Sequence, residues 1–235
     1  LIEGKHVLCE SPIASSGKEC KELFELAKKQ KCVLMEGIKT AYSTAYSRLL
    51  LLAKSGEIGK IVSVDATCTS MRDDLDSLEN KWNSISAWGP TALLPIFQLL
   101  GINYTDKKII SHYIDDDKMF DGFTKIDFIY PDSVASIKVA KTAKSEGELI
   151  ITGTKGYIYV PAPWWKTDYF EIRYEDPTEN KRYFYKLDGE GIRYEIVAFN
   201  RSIESGKNYS YIDSKISIAI SEIIEACKSN NVIEI

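Results

Sequence analysis

The stretch Gly4–Pro12, GKHVLCESP, decides how the chain is organised. Its apolar run, VLC, is ended by Glu10-Ser11-Pro12. An apolar run before a capped helix is typical of a buried parallel strand that enters a βα turn. Ligands of doubly wound sheets bind beyond the carboxyl ends of such strands, so Glu10, Ser11 and Pro12 are candidate binding residues. The same three residues also fit a simple turn, because Pro keeps the residue before it extended.

The next elements complete a βαβ unit. Ser16 and Glu19 form a capping-box pattern, and apolar residues then recur at helical spacing, which predicts a helix over residues 17–30. The run CVLME, residues 32–36, predicts a second strand. We therefore expect residues 1–42 to be the last part of a dinucleotide-binding domain. Because a parallel strand pair needs further partners, we also expect additional sequence upstream.

Residues 43–235 predict a different architecture, dominated by strands. Consecutive strands joined by short turns are typical of a largely antiparallel sheet. Helical spacing predicts helices over residues 43–55, 88–100, 191–205 and 214–229. Apolar and alternating runs predict strands over residues 60–69, 107–113, 124–130, 134–140, 148–152, 157–160, 169–174 and 182–187. The predicted fold is α+β: a βαβ remnant followed by a large open, mostly antiparallel sheet with helices on one face.

Three details of this region can be checked against a structure. Residues 62–69 alternate apolar and polar side chains, which predicts a strand with one solvated face. Residues 71–86 are polar and irregular, which predicts a loop. Pro90 is expected in the first turn of its helix, and Pro95 is expected to bend that helix.

The composition excludes several classes of protein. A net charge of −4 gives no reason to expect nucleic acid or an anionic membrane as a partner. No apolar run approaches the length of a membrane span. The five cysteines are scattered and form no C-x-x-C pair, which argues against disulfides and zinc and favours a cytoplasmic location. Residues 115–117, three adjacent aspartates, lack the spacing of a calcium loop, so we predict no metal site.

Four segments share one order with a known family. They are GKHVLCESP (4–12), LMEGIKTAYSTAYSRLLLLAKSGEIGKIVSV (34–64), ELIITGTKGYIYVP (148–161) and GEGIRYEIVAFNRSIESGK (189–207). This order resembles the Gfo/Idh/MocA oxidoreductase family, and the Met-Glu-Gly pattern most resembles its dihydrodiol dehydrogenase-like branch. The resemblance implies a Rossmann domain that binds NAD or NADP and a C-terminal sheet that forms the substrate pocket and a homodimer interface. It also implies a sugar, polyol or cyclic alcohol as substrate.

The chain departs from the family pattern at the positions that carry its chemistry. The sequence contains no Gly-x-Gly-x-x-Gly turn. Ser11 stands where relatives have the Lys of Glu-Lys-Pro, and Thr91 aligns with their acid–base position. Alcohol oxidation needs a group that accepts the hydroxyl proton near working pH, and neither hydroxyl is such a group. The usual chemistry is therefore expected to be disabled.

Lys39 is the best positional candidate to replace the missing base, because it follows the second strand and strand ends face the cleft. A solvated loop lysine is the plain alternative. Thr91 remains a candidate catalytic contact, while Trp88 and Trp164 are candidate substrate-binding residues. The two histidines, at positions 6 and 112, are interpreted as structural.

Six tyrosines and tryptophans are clustered between residues 157 and 174 and predict an association surface on the sheet. They are Tyr157, Tyr159, Trp164, Trp165, Tyr169 and Tyr174. Two functions follow as hypotheses. The first is the C-terminal part of an NAD(P)-dependent oxidoreductase, and the second is a non-catalytic ligand-binding or oligomerisation module derived from that family.

Overall fold

A computed structural model describes residues 1–71, 82–187, 189–229 and 231–235 of the chain. It has a small parallel sheet and a large mixed sheet with helices, which confirms the α+β prediction. None of the helices in these ranges is long and apolar enough to cross a membrane. The predicted loop over residues 71–86 falls largely on residues 72–81, outside the described ranges.

The N-terminal unit is the predicted βαβ motif. Strand β1 covers Val7–Glu10, helix α1 covers Gly17–Lys29, and strand β2 covers Leu34–Gly37. The two strands pair in parallel and place Glu10 opposite Gly37. The Ser16 hydroxyl caps α1 by accepting a hydrogen bond from the Glu19 amide at 3.2 Å, so the helix begins where the capping pattern predicts.

The rest of the chain builds a nine-stranded sheet. Its strands are β3 (Ile61–Thr69), β4 (Asp106–Tyr113), β5 (Asp121–Ile129), β6 (Val134–Ala140), β7 (Leu149–Gly153), β8 (Tyr157–Val160), β9 (Tyr169–Arg173), β10 (Lys181–Phe184) and β11 (Ile233–Glu234). Their order is β10-β9-β8-β7-β3-β6-β5-β4-β11, and among the described pairs of this sheet only β3–β6 and β4–β11 are parallel. The short β11 strand was not predicted, because two residues give no periodic signal.

The helices cover one face of this sheet. They are α2 (Thr44–Lys54), α3 (Ser84–Leu100), α4 (Ile192–Ser205) and α5 (Ser214–Ala226). Helix α3 lies over β3, β5 and β6, and its Phe97 ring meets Phe128 at a centroid distance of 6.0 Å. This packing buries inward-facing side chains such as Ile137 and Val139 completely. The main core is therefore the layer between α3 and the centre of the sheet.

Two local expectations were wrong. Asn83 caps α3 by accepting from the Ser86 amide, so the helix begins at Ser84 and Pro90 lies in its second turn. The predicted alternation of buried apolar and solvated polar side chains along β3 also fails at both ends of the strand. Val62 is 40% exposed because the register shifts beside it, and the polar face is covered where the Thr69 hydroxyl donates to the Ser145 carbonyl.

Two contacts tie the N-terminal unit to the rest of the chain. The Gly17 amide donates to the Glu225 carboxylate at 3.1 Å, which fixes α1 against α5. The first turn of α4 packs on the 3-10 turn Lys39–Tyr42 that follows β2. A Cβ at Gly191 would overlap the Lys39 carbonyl oxygen, and Gly191 has a φ of +95°, so glycine is required at this approach.

Candidate active site

A cavity of about 390 Å³ lies at the carboxyl ends of β1 and β2. Its walls come from these strand ends, from α3, from the 3-10 turn Trp164–Lys166 and from the first turn of α4. The lining residues are Glu10, Ser11, Gly37, Ile38, Lys39, Thr40, Ala87, Trp88, Pro90, Thr91, Trp165, Lys166, Ile192 and Glu195. The structure thus brings together five of the seven residues singled out in the sequence: Glu10, Ser11, Lys39, Trp88 and Thr91.

Ser11 is held by a buried carboxyl group on β2. Its hydroxyl donates a hydrogen bond to Glu36, whose side chain is only 2% exposed. Burial raises the pKa of Glu36, while hydrogen bonds from Ser11, Ser217 and the Ile13 backbone oppose that rise. The Ser11 oxygen therefore presents its lone pairs to the cavity. Pro12 instead lines a neighbouring cavity of about 290 Å³, beside Trp82 and Ile224.

Lys39 belongs to an ion-pair cluster at the cavity rim. Glu190 contacts the Lys39 ammonium group and also the Lys166 ammonium group, the latter at 2.9 Å. The two lysines hold the pKa of Glu190 below its ordinary value. The Lys39 ammonium group is therefore held at the cavity rim, where it can donate hydrogen bonds.

Two tryptophans form the aromatic part of the cavity, and one of them differs from the prediction. Trp88 and Trp165 have ring centroids 5.0 Å apart and both line the cavity. Trp164 is completely buried, and its indole N–H donates to the Thr67 carbonyl at 3.0 Å. Trp164 is therefore a core residue, which corrects its placement in the exposed cluster and at the substrate site. Adjacent residues of a turn point in opposite directions, and the sequence does not say which one faces inward.

Glu195 is the cavity residue that sequence reasoning missed. It lies in the first turn of α4, is 6% exposed and has a buried oxygen, Oε2, with no hydrogen-bond partner among the described residues. Burial raises the pKa of Glu195 to about 7, Glu10 adds to the rise, and Lys39 opposes it. Helical spacing gave no signal, because the apolar residues Ile192, Ile196 and Val197 are exposed. Helix α4 instead buries Glu195, Ala198 and Ser202.

Comparison with known proteins places the N-terminal segment. Residues 1–38 match the family model GFO_IDH_MocA, described as the oxidoreductase family with an NAD-binding Rossmann fold. Over these residues the chain is similar to the Gfo/Idh/MocA oxidoreductase family. The likeness to the family's dihydrodiol dehydrogenase-like branch stays a prediction.

Curated relatives of this chain match over short segments. The scyllo-inositol 2-dehydrogenase (NADP(+)) IolU of Bacillus subtilis (strain 168) is 48% identical over 46 residues, which cover 20% of this chain and 14% of the relative. The dTDP-3,4-didehydro-2,6-dideoxy-alpha-D-glucose 3-reductase of Streptomyces antibioticus is 30% identical over 69 residues, which cover 29% of this chain and 21% of the relative. The matched segments are thus well under two thirds of both relatives.

Solved structures share the fold of nearly the whole chain. A 3-ketoreductase from Actinomadura kijaniata, in complex with NADP and TDP-benzene, has a TM-score of 0.82 at 15% identity and is matched over 98% of this chain and 72% of its own. The aldose-aldose oxidoreductase of Caulobacter crescentus, complexed with glycerol, has a TM-score of 0.81 at 17% identity, over 95% of this chain and 69% of its own. At these identities the likeness establishes the fold.

The strand ends fit the nicotinamide end of a dinucleotide. Gly37 has no side chain where a Cβ would lie 3.3 Å from the Cys9 carbonyl oxygen and 3.3 Å from the Glu195 carboxyl oxygen. Glycine at this position therefore lets the backbone of β2 line the cavity beside Glu195. The location also agrees with the rule that doubly wound sheets bind ligands outside the carboxyl ends of their strands.

Proposed function

We propose that this chain is the C-terminal part of an NAD(P)-dependent oxidoreductase acting on a hydroxyl or carbonyl group of a sugar, polyol or cyclic alcohol. The observation that carries the proposal is the cavity at the strand ends, which combines an aromatic pair, cationic side chains and a buried carboxyl group. The names of the relatives support the substrate class, since they include an inositol dehydrogenase and a reductase of a dTDP-linked sugar.

Glu10, Ser11 and Gly37 are assigned to the nicotinamide side of the cavity. Bound NAD(P) supplies a carbon that exchanges hydride with the substrate. Ser11 is oriented by Glu36, so its lone pairs can accept a hydrogen bond from an amide or hydroxyl group. Pro12 shapes the turn that places Ser11 here.

Trp88, Trp165, Lys39 and Thr91 are assigned to the substrate side. The apolar face of a sugar ring packs against aromatic rings, and the two indoles offer such a surface. Lys39 and the Thr91 hydroxyl can donate hydrogen bonds to substrate oxygens. The Thr40 hydroxyl fixes the relative position of these groups, because it donates to the Trp165 carbonyl at 3.0 Å.

A fluorescence titration tests the proposal. NADPH and NADH are added to the chain while indole emission is followed, and we expect saturable binding of at least one cofactor in the micromolar range. Lys39→Ala should weaken the subsequent binding of scyllo-inositol and leave cofactor binding within about twofold. Trp165→Phe should reduce the emission change, which would locate the signal in the cavity. Absence of binding for both cofactors would contradict the proposal.

One observation favours the second candidate, a non-catalytic binding module. Glutamates contact two of the polar groups proposed for the site. The Ser11 hydroxyl donates a hydrogen bond to Glu36, and the Lys39 ammonium group forms an ion pair with Glu190. A binding module would take up polyols or sugars without converting them. Incubation with NADP+ and a panel of polyols distinguishes the two, because polyol binding without NADPH formation would favour the module.

We also propose that the open face of the sheet pairs two copies of the chain. Tyr157, Tyr159 and Arg173 share this face, with the Arg173 guanidinium 4.6 Å from the Tyr159 ring centre. Phe184 lies at its edge and is 74% exposed. Tyr, Phe and Arg are enriched in protein interfaces. Analytical ultracentrifugation should show a dimer that Tyr159→Glu dissociates, whereas a monomeric wild-type chain would contradict this assignment.

A further inference from the structure

The position of Glu195 is fixed by the way α4 begins. Gly191 caps the helix and packs directly on the Lys39 carbonyl, so the first turn of α4 lies against the turn that follows β2. Glu195 follows one turn later and faces the cavity. Its carboxyl group lies over Gly37. A Cβ built on Gly37 would be 3.3 Å from Glu195 Oε1. Glu10 is the cross-strand partner of Gly37, so the carboxyl group sits above the ends of both strands.

The hydrogen-bonding state of Glu195 is unusual for a buried carboxyl group. Glu195 Oε2 is buried without a partner within the described ranges. Buried polar groups in folded proteins are nearly always paired, and an unpaired one indicates a ligand or a chemical role. The groups that face it are Glu10 from β1, and Lys39 and Tyr42 from the turn after β2. No ion pair or hydrogen bond among the described residues occupies the carboxyl group.

The other cavity groups are less suited to move a proton. The Lys39 ammonium group is engaged in an ion pair with Glu190. Glu36 also has a buried oxygen without a partner, Oε2, but it lies behind the Ser11 hydroxyl rather than on the cavity surface. Thr91 carries a hydroxyl that does not titrate near neutral pH. Glu195 is the cavity carboxyl group that combines burial, direct access and a free oxygen.

We propose that Glu195 is the catalytic acid–base residue of this site, taking the place of the residues lost at Ser11 and Thr91. This assignment rests on the function proposed above. In alcohol oxidation the substrate O–H bond breaks and its proton goes to the Glu195 carboxylate. The electrons of the O–H bond form the second bond of the carbonyl, and the carbon-bound hydrogen leaves as hydride to an oxidised nicotinamide cofactor. In reduction, the protonated Glu195 returns the proton to the alcohol oxygen.

The environment of Glu195 suits this role. Burial, with a contribution from Glu10, raises its pKa to about 7, so both protonation states are populated at neutral pH. General acid–base catalysis is most effective when the pKa of the group lies near the working pH. The same burial brings the substrate oxygen into a region of low dielectric, where a proton transfer is directed to the nearest basic oxygen.

The first test measures the carboxyl group itself and needs no turnover. The chain is labelled with carbon-13 glutamate, and the carboxyl shifts are followed from pH 4 to pH 9. One carboxyl carbon should titrate near pH 7, and this signal should be missing in Glu195→Gln. Glu204→Gln, an exposed residue on the same helix, is the matched control and should leave the near-neutral titration in place.

The second test links that titration to the reaction. The rate of NADP+ reduction with scyllo-inositol should rise with pH through an inflection near 7 in the wild-type chain. Glu195→Gln should lower the rate about a hundredfold and remove the inflection. Glu195→Asp should restore part of the rate, and NADPH affinity should stay within about twofold in both variants. Melting curves of both variants confirm that they fold.

The outcomes separate this assignment from the proposed function. If wild type binds NADPH and oxidises the polyol, but Glu195→Gln keeps the rate and the inflection, only the role of Glu195 is overturned. Loss of the inflection in Glu36→Gln instead would overturn it in favour of a relay through Ser11. If no wild-type cofactor binding occurs, the proposed function fails, and the catalytic role of Glu195 fails with it even where its carboxyl titrates near pH 7.

Discussion

Each of the two walls of the cavity has a buried glutamate, and the two glutamates lie differently with respect to the cavity. The strand wall consists of Glu10, Ser11 and Gly37, with Glu36 behind Ser11, and the helix wall consists of Trp165, Lys166, Ile192 and Glu195. Both glutamates have a buried oxygen, Oε2, with no partner in the described chain, but Glu36 accepts a hydrogen bond from the Ser11 hydroxyl through Oε1 and does not line the cavity. Burial and an unpaired oxygen are therefore shared, and position relative to the cavity decides which carboxyl group is available for chemistry.

The largest expected effect is a loss of stability when Trp164, in the core behind the helix wall, is replaced. Trp164→Ala should lower the free energy of unfolding by about 3–5 kcal/mol, because it removes a completely buried side chain and its hydrogen bond to Thr67. Trp165→Ala should cost much less stability and should instead weaken polyol binding. Urea unfolding and ligand titration measure the two effects. Equal losses of stability would show that the helix wall is as deeply packed as the core.

A substitution at Gly191 should break the contact between the two walls. Gly191→Ala places a methyl group on the Lys39 carbonyl at a positive φ, and we expect a loss of about 2–3 kcal/mol. Gly206→Ala is the matched control, because Gly206 also has a positive φ but no atom lies within 4 Å of its Cβ position. It should cost about 1 kcal/mol. Similar costs in thermal unfolding would mean that the close approach is unimportant.

Glu195→Gln should change how the free energy of unfolding depends on pH. The pKa of Glu195 is raised from 4.5 to about 7 on folding, so the folded state binds more protons between these values. The free energy of unfolding of the wild type therefore falls as pH rises from about 4.5 to 7. Above pH 7 this contribution stays at its lower value. Glu195→Gln lacks this titration, so its free energy of unfolding should rise by about 1–2 kcal/mol relative to wild type between pH 5 and pH 8, allowing for solvent screening. A difference between the two proteins that does not change with pH would contradict this expectation.

Ser11→Ala is expected to have the smallest effect and acts on the strand wall. Removing the hydroxyl takes one hydrogen bond from Glu36, which should cost about 1 kcal/mol at neutral pH. The pKa of Glu36 should rise further, because the bond from Ser11 lowers it. Carbon-13 titration of the Glu36 carboxyl group measures that rise. An unchanged Glu36 titration would show that this wall does not depend on Ser11.

Much of the fold could be predicted from local patterns. The capping residue Ser16 placed α1, and apolar and alternating runs placed β7 and β8 within a few residues. Errors arose where a non-local contact overrides the pattern. The exposed Val62 follows from a register shift against β7, and the buried Thr69 follows from the loop that covers it. The domain boundary after residue 42 remains a prediction.

The site could be predicted only in part. Strand ends are identifiable from the sequence, so Glu10, Ser11 and Lys39 were found by the rule that ligands bind there. Trp164 and Trp165 could not be told apart, because adjacent residues of a turn carry the same chemical signal. Glu195 gave no signal of its own, since glutamate in the first turn of a helix is common and stabilises the helix dipole.

The sequence by itself determined the elements, their order and the family likeness, because these depend on spacing and on short motifs such as GKHVLCESP. Only the tertiary structure decided which groups meet in the cavity. Glu195 lies more than 150 positions from Lys39 and Gly37 along the chain, and its burial depends on the docking of α4 onto the turn after β2. Desolvation and neighbouring charges set the protonation of a carboxyl group, and both come from residues that are close in space.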